Sequence, residues 1–222
     1  MREGEPVAAQ PSALMERYLD RLIQENEKTN VTRITDKESA QVLHLEDSLV
    51  ALPEMGDAPE GPYADLGSGG GFPGVPLAVA TGRPTLLVDS VAKKMQLVHG
   101  IVQELGIGNV EVYAGRIEDL ARQRPGEFSV VTARALAQLS VLMELSSPLL
   151  RLGGRLVCYK ANPSEEELSH GLSLQDTLGF SLVSQREVDL HGNHRTILCF
   201  EKITQPSIKL PRKTGFAQKK PL

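Results

Sequence analysis

From Tyr63 onward, short apolar runs alternate with helical patterns, and this alternation restricts the chain to one class of architecture. The runs are ADL (64–66), TLLVD (85–89), VEVY (110–113), FSVVT (128–132) and RLVCYK (155–160). Strands that are apolar on both faces and separated by helix-length connections form a parallel sheet covered on both sides by helices. Two further runs, FSLVSQREV (180–188) and RTILCFEK (195–202), flank the turn-like HGNH (191–194). That connection is too short for a crossover helix, so these two strands pair antiparallel. Upstream, Leu14, Tyr18, Leu19, Leu22 and Ile23 recur at helical spacing after Ser12. Thr35 and Glu38 have the Thr-x-x-Glu form of a capping box, announcing a second helix with Val42, Leu43, Leu49 and Val50 on its face. The chain thus divides into a helical N-terminal cap (1–60), an α/β domain (61–203) and a C-terminal tail (204–222).

The stretch YADLGSGGGFPGVP (63–76) falls at the first strand-to-helix turn. Open α/β sheets bind ligands in this crevice, at the carboxyl ends of their strands. Gly67, Gly69 and Gly71 let the backbone turn sharply and approach a ligand, and Pro73 and Pro76 fall where the next helix starts, a position that tolerates proline. Two ligands fit the spelling. Gly69, Gly71 and Gly74 give G-x-G-x-x-G, with Asp89 twenty residues after Gly69, as for a nicotinamide dinucleotide. Asp65 before the first glycine gives instead an acidic-x-G-x-G-x-G form associated with S-adenosylmethionine. A carboxylate there suits an α-amino group or a held loop and opposes a pyrophosphate. Asp89 fits either ligand, because both present a ribose diol.

The formal net charge of −4 conceals an asymmetry: residues 202–222 hold Lys202, Lys209, Arg212, Lys213, Lys219 and Lys220 and no acid. A basic tail is therefore expected to hang from an acidic body, kept extended by Pro206, Pro211 and Pro221. It would either contact a polyanion or pack back through Ile208, Leu210 and Phe216. Cys158 and Cys199 lie in apolar stretches and read as buried thiols, without metal or redox chemistry. The five histidines, His44, His99, His170, His191 and His194, are scattered, so no metal site is expected. No apolar run approaches the roughly 20 residues of a membrane span, and MREGEPVAAQP lacks the order of a signal peptide, which predicts a cytoplasmic protein.

DLGSGGGFPGVPLA, the preceding NVT (30–32) and HLEDS (44–48), LVDSVAKK, GRIEDL (115–120), TARAL (132–136), YKAN (159–162) and the closing KLPRKTGFAQKKPL appear in order. As a set they resemble the bacterial small-subunit ribosomal RNA guanine-N7 methyltransferases, the glucose-inhibited division protein B family, from about residue 14 to the end. The resemblance implies a class I S-adenosylmethionine-dependent methyltransferase fold, a Rossmann-like, mostly parallel sheet with a C-terminal antiparallel hairpin. It implies S-adenosylmethionine held at Gly67, Phe72, Ile117, Glu118 and Arg134, to which the motif adds Gly69 and Asp89. Ile117 and Glu118 would lie by the adenine, and Phe72 and the glycines by the methionyl part. The partner would be small-subunit ribosomal RNA or the small-subunit particle, with Lys160, Arg212 and Lys213 facing the RNA.

Guanine N7 has an in-plane lone pair and no proton to lose, so its methylation needs positioning rather than a catalytic base. The fourth strand is followed by TARALAQL, without the acidic-or-Asn-Pro-Pro-aromatic motif of amino-group methyltransferases, and Cys158 has no base beside it. Three other functions stay open on the residues alone, one of them a non-catalytic cofactor-binding module. A nicotinamide-dependent oxidoreductase would need a catalytic acid near strands four and five, and a small-molecule methyltransferase would have no use for a basic tail. His44 beside Asp47, and Asn30 with Thr32, read either as structural residues of the cap or as contacts to the glycine loop.

Overall fold

A computed structural model describes residues 12–29 and 37–222. Asn30, Thr32 and Thr35 lie outside the described residues. The cap contains α1 (Ala13–Thr29), α2 (Lys37–Ala40), a π-helical turn (Gln41–Glu46), α3 (Asp47–Leu49) and α4 (Leu52–Gly56). The α/β part runs β1 (Tyr63–Leu66), α5 (Gly74–Thr81), β2 (Thr85–Asp89), α6 (Ala92–Glu104), β3 (Val110–Ala114), α7 (Ile117–Gln123), β4 (Phe128–Arg134), α8 (Leu139–Ser146) and β5 (Leu150–Lys160). It continues with α9 (Glu165–Ser173), α10 (Gln175–Leu178), β6 (Phe180–Leu190), β7 (Asn193–Lys202) and α11 (Phe216–Lys219).

The seven strands are ordered β3-β2-β1-β4-β5-β7-β6, the first five parallel and β7 antiparallel to both of its neighbours. The apolar runs thus form the parallel sheet they predict, and the last two form the antiparallel hairpin. Its turn is tighter than HGNH: only His191 and Gly192 lie outside the strands, both at positive φ (52° and 84°). Two left-handed residues in succession match the right-handed twist of the strands they join.

Each face of the sheet has its own core. Leu66, Val88, Val131, Leu142 and Phe200 pack on one side, joined by Ile208, Leu210 and Leu222 of the tail. On the other, Tyr18, Leu19, Leu22 and Leu45 of the cap pack with Phe72, Val75 and Leu87, so the cap shares a core with the sheet. Of the two alternatives for the tail, the described residues show packing against the body: Ile208, Leu210 and Leu222 join the sheet's core and Ala217 is buried against Val141 and Leu145, while Phe216 stays exposed. Lys202 belongs to β7: its buried ammonium donates to the carbonyls of Ser147 (2.5 Å) and Leu150 (2.8 Å). Cys158 and Cys199 are free and buried, and burial pushes both thiols up, which keeps them unreactive. No helix among the described residues is long and apolar enough to cross a membrane.

Candidate functional site

The glycine loop is built around Asp65, which is fully buried at the heart of β1. Its Oδ2 accepts the amide proton of Gly74 (3.0 Å), and its Oδ1 accepts from the Thr132 hydroxyl (2.7 Å), itself 2.6 Å from the Tyr63 hydroxyl. Burial pushes the Asp65 carboxyl up to about 7, opposed by these hydrogen bonds and by the charge of Arg134. Of the two roles open to it, Asp65 takes that of holding the loop. Gly67, at φ 71°, is a position where the backbone favours glycine, and a Cβ there would also press on Leu136 Cδ1 at 2.7 Å, so that side chain would have to shift. Gly71, at φ 86°, makes the sharp turn expected of it, and a Cβ there would also strike the Tyr18 hydroxyl and Val75, so packing against α1 adds a second demand for glycine.

Asp89, at the end of β2, is held from both sides. Oδ2 accepts the Gly69 amide proton (3.0 Å) and Oδ1 that of Val91 (2.8 Å). Each oxygen keeps a lone pair for a further donor. Next to it opens a cleft whose lining includes Gly67, Asp89, Ile117, Glu118, Leu136 and Gln218. Four of the seven expected cofactor residues, Gly67, Asp89, Ile117 and Glu118, therefore meet in one cleft, and Gly69 supports Asp89 from the loop. Glu118 is buried, and its Oε1 accepts the amide proton of Gly215 in the tail at 2.5 Å.

Phe72 and Arg134 lie outside that lining. Phe72 is buried, stacked on His44 (centroids 4.5 Å, planes 6° apart) and edge-on to Tyr18 (5.8 Å). His44 is thereby structural at its ring face, and burial, reinforced by the charge of Arg134, lowers its pKa to about 4. Arg134, at the end of β4, donates to Asp47 Oδ2 (2.8 Å) and the Leu43 carbonyl (3.2 Å). The other Asp47 oxygen accepts from Arg195 of β7 (2.9 Å). Two guanidiniums thus share one buried carboxylate.

The three bases expected to face RNA differ in their freedom. Lys160 is bound to Glu167 (2.6 Å) and the Ala137 carbonyl (3.0 Å). Arg212 forks onto Glu144 (2.7 and 2.5 Å) and lies over the Phe216 ring at 5.2 Å. Lys213 is exposed. Sequence reasoning missed Leu136, Arg195, Gly215 and Gln218. For Leu136 the cause is a backbone conformation: Ala135 sits at φ 53°, uncommon for a residue with a Cβ, and turns the chain so that Leu136 covers Gly67.

A family described as rRNA small subunit methyltransferase G matches residues 12–197. The chain belongs to this family. It is 37% identical over 214 residues to the ribosomal RNA small subunit methyltransferase G of Carboxydothermus hydrogenoformans, covering 94% of this chain and 91% of that one. The protein of the same name from Lactobacillus helveticus is 36% identical over 214 residues, covering 92% and 88%. Among solved structures, TrmN from Thermus thermophilus superimposes with a TM-score of 0.56 at 20% identity, covering 70% of this chain and 48% of that one. A precorrin-6y C5,15-methyltransferase from Geobacter metallireducens does so with a TM-score of 0.55 at 13% identity, covering 76% and 90%. These likenesses show the fold. Members of the rRNA small subunit methyltransferase G family are methyltransferases, which sets the nicotinamide reading aside, as does a sheet that ends in an antiparallel hairpin with β7 placed between β5 and β6.

Proposed function

We propose that this chain transfers the methyl group of S-adenosylmethionine to N7 of a guanine in small-subunit ribosomal RNA, free or within the small-subunit particle, in the cytosol. The observation that carries the reading is the Asp89 carboxylate, fixed by two backbone amides at the mouth of a cleft that Gly67, Ile117 and Glu118 also line. A preset acceptor pair suits a ribose diol. Asp89 would hold the ribose, Ile117 and Glu118 would flank the adenine, and the glycine loop would lead toward the methionyl end. When bound, the cofactor supplies an electrophilic methyl group on a sulfonium.

Because N7 carries its own lone pair, the protein's task is alignment and exclusion of water, which oriented systems convert into about 7–11 kcal/mol of barrier. Arg134 and Arg195 support the RNA side of the reading. They stand at the carboxyl-terminal rim of the sheet and, among the described residues, share the charge of Asp47, leaving one positive charge in excess beside the site, where a phosphate or the guanine can be clamped.

Nucleoside mass analysis of small-subunit RNA from a strain lacking the gene tests the function. The expected result is loss of one 7-methylguanosine, restored by the wild-type chain and not by Asp89→Ala. An unchanged modification pattern in the deletion strain rejects the assignment.

A further inference from the structure

The tail is stitched to both helices that flank the cleft. On the α7 side, Arg122 donates to the Arg212 carbonyl (2.9 Å) and the Thr214 hydroxyl oxygen (3.1 Å), Thr214 donates to Asp119 (3.0 Å), and the Gly215 amide donates to Glu118 (2.5 Å). On the α8 side, Arg212 forks onto Glu144, and Ala217 is buried against Val141 and Leu145. Leu145 and Gln218 then appear together in the lining of the cleft. A segment whose bases alone would predict an RNA arm has its guanidinium spent on an internal carboxylate and one of its amides spent on a cleft residue.

We propose that residues 212–218 form a wall of the cofactor cleft, in which the side chain of Gln218 contacts the adenosine half of the ligand and the Gly215 amide aims Glu118 at it. This rests on the reading of the cleft as an adenosine site. A buried carboxylate with one oxygen tied down keeps the other oriented for a ligand donor, and Oε2 of Glu118 is left 3.9 Å from Arg116 Nε, beyond hydrogen-bond reach. Gln218 is exposed in the tail's short helix and offers both a donor and an acceptor. It is the tail residue that lines the cleft.

Calorimetric titration of the full-length chain with S-adenosylhomocysteine, alongside melting of the ligand-free protein, tests the proposal. Gln218→Ala, an exposed change that removes no packing, is expected to weaken binding about fivefold, the effect of one neutral hydrogen bond, with an unaltered melting temperature. Binding within twofold of wild type overturns the proposal. Asp89→Ala, titrated in parallel, separates the two levels of the argument. If it weakens binding while Gln218→Ala does not, the adenosine reading stands and the tail wall falls. If the unaltered chain itself shows no binding, both fall.

Discussion

Asp65 receives the amide proton of Gly74, nine residues later, and so ties the end of β1 to the first residue of α5 across the whole glycine loop. The loop's shape is set from within the sheet, before any ligand arrives.

Burial gives Asp65 a signature in pH. Its folded pKa is raised to about 7 from 3.8, so between these values the native protein holds more proton than the unfolded chain, and the contribution of Asp65 to stability declines as pH rises. Asp65→Asn should therefore gain on wild type between pH 4 and 7, by up to about 1.4 kcal/mol per pH unit. Urea unfolding across this range checks it, and a stability difference independent of pH rejects it.

His44 should show the opposite slope. With its folded pKa lowered to about 4, the unfolded chain binds more proton between roughly pH 4 and 6.5, so the histidine's contribution is complete above 6.5 and is lost on acidification. His44→Leu should then lose ground against wild type as pH rises through this window, by about 1 kcal/mol per unit. Parallel denaturation series at several pH values would expose an error in sign at once.

Gly67→Val combines a forbidden backbone conformation with a collision against Leu136, 2.7 Å from the added Cβ. Affinity for S-adenosylhomocysteine should fall by more than about tenfold, since the β-branched side chain enters the cleft as well. A calorimetric affinity within threefold of wild type contradicts this placement of the loop.

Arg212 and Lys213 are neighbours with different fates. Arg212→Ala leaves the buried Glu144 carboxylate without its partner and should cost about 2–3 kcal/mol of stability, less than a fully buried pair because the guanidinium is part-exposed. It should leave the salt dependence of RNA binding unchanged. Lys213→Ala should do the reverse, sparing stability and, if the lysine meets a phosphate, reducing the slope of log affinity against log salt by about 0.7–0.9. Thermal melts together with binding isotherms at several salt concentrations distinguish the two.

The strands were legible because a doubly covered strand needs an apolar run, and each run in this chain sits between helix-length connections. Ile117 and Glu118 came only from the family resemblance, whereas Gly67 and Asp89 were legible for a related reason: each lies at the end of a parallel strand or in the turn after it, where the topology gathers residues from distant positions. The tail was not. Arg212 finds Glu144 across 68 residues and Gly215 finds Glu118 across 97, and such pairings leave no local pattern to read. Its charge was visible in the sequence, while the carboxylates that absorb part of that charge belong to helices whose orientation only the folded chain defines.

The Arg134–Asp47–Arg195 cluster bears on how the molecule comes apart. Asp47 belongs to the cap, while its two partners belong to β4 and β7, so lifting the cap away would break both ion pairs and open the core shared by Tyr18, Phe72 and Leu87. Peeling the N-terminal helices alone therefore forfeits two ion pairs and shared apolar burial together. Cap and sheet are bound into one cooperative unit, and amide hydrogens in α1 will exchange with solvent through the same global opening as those of β1.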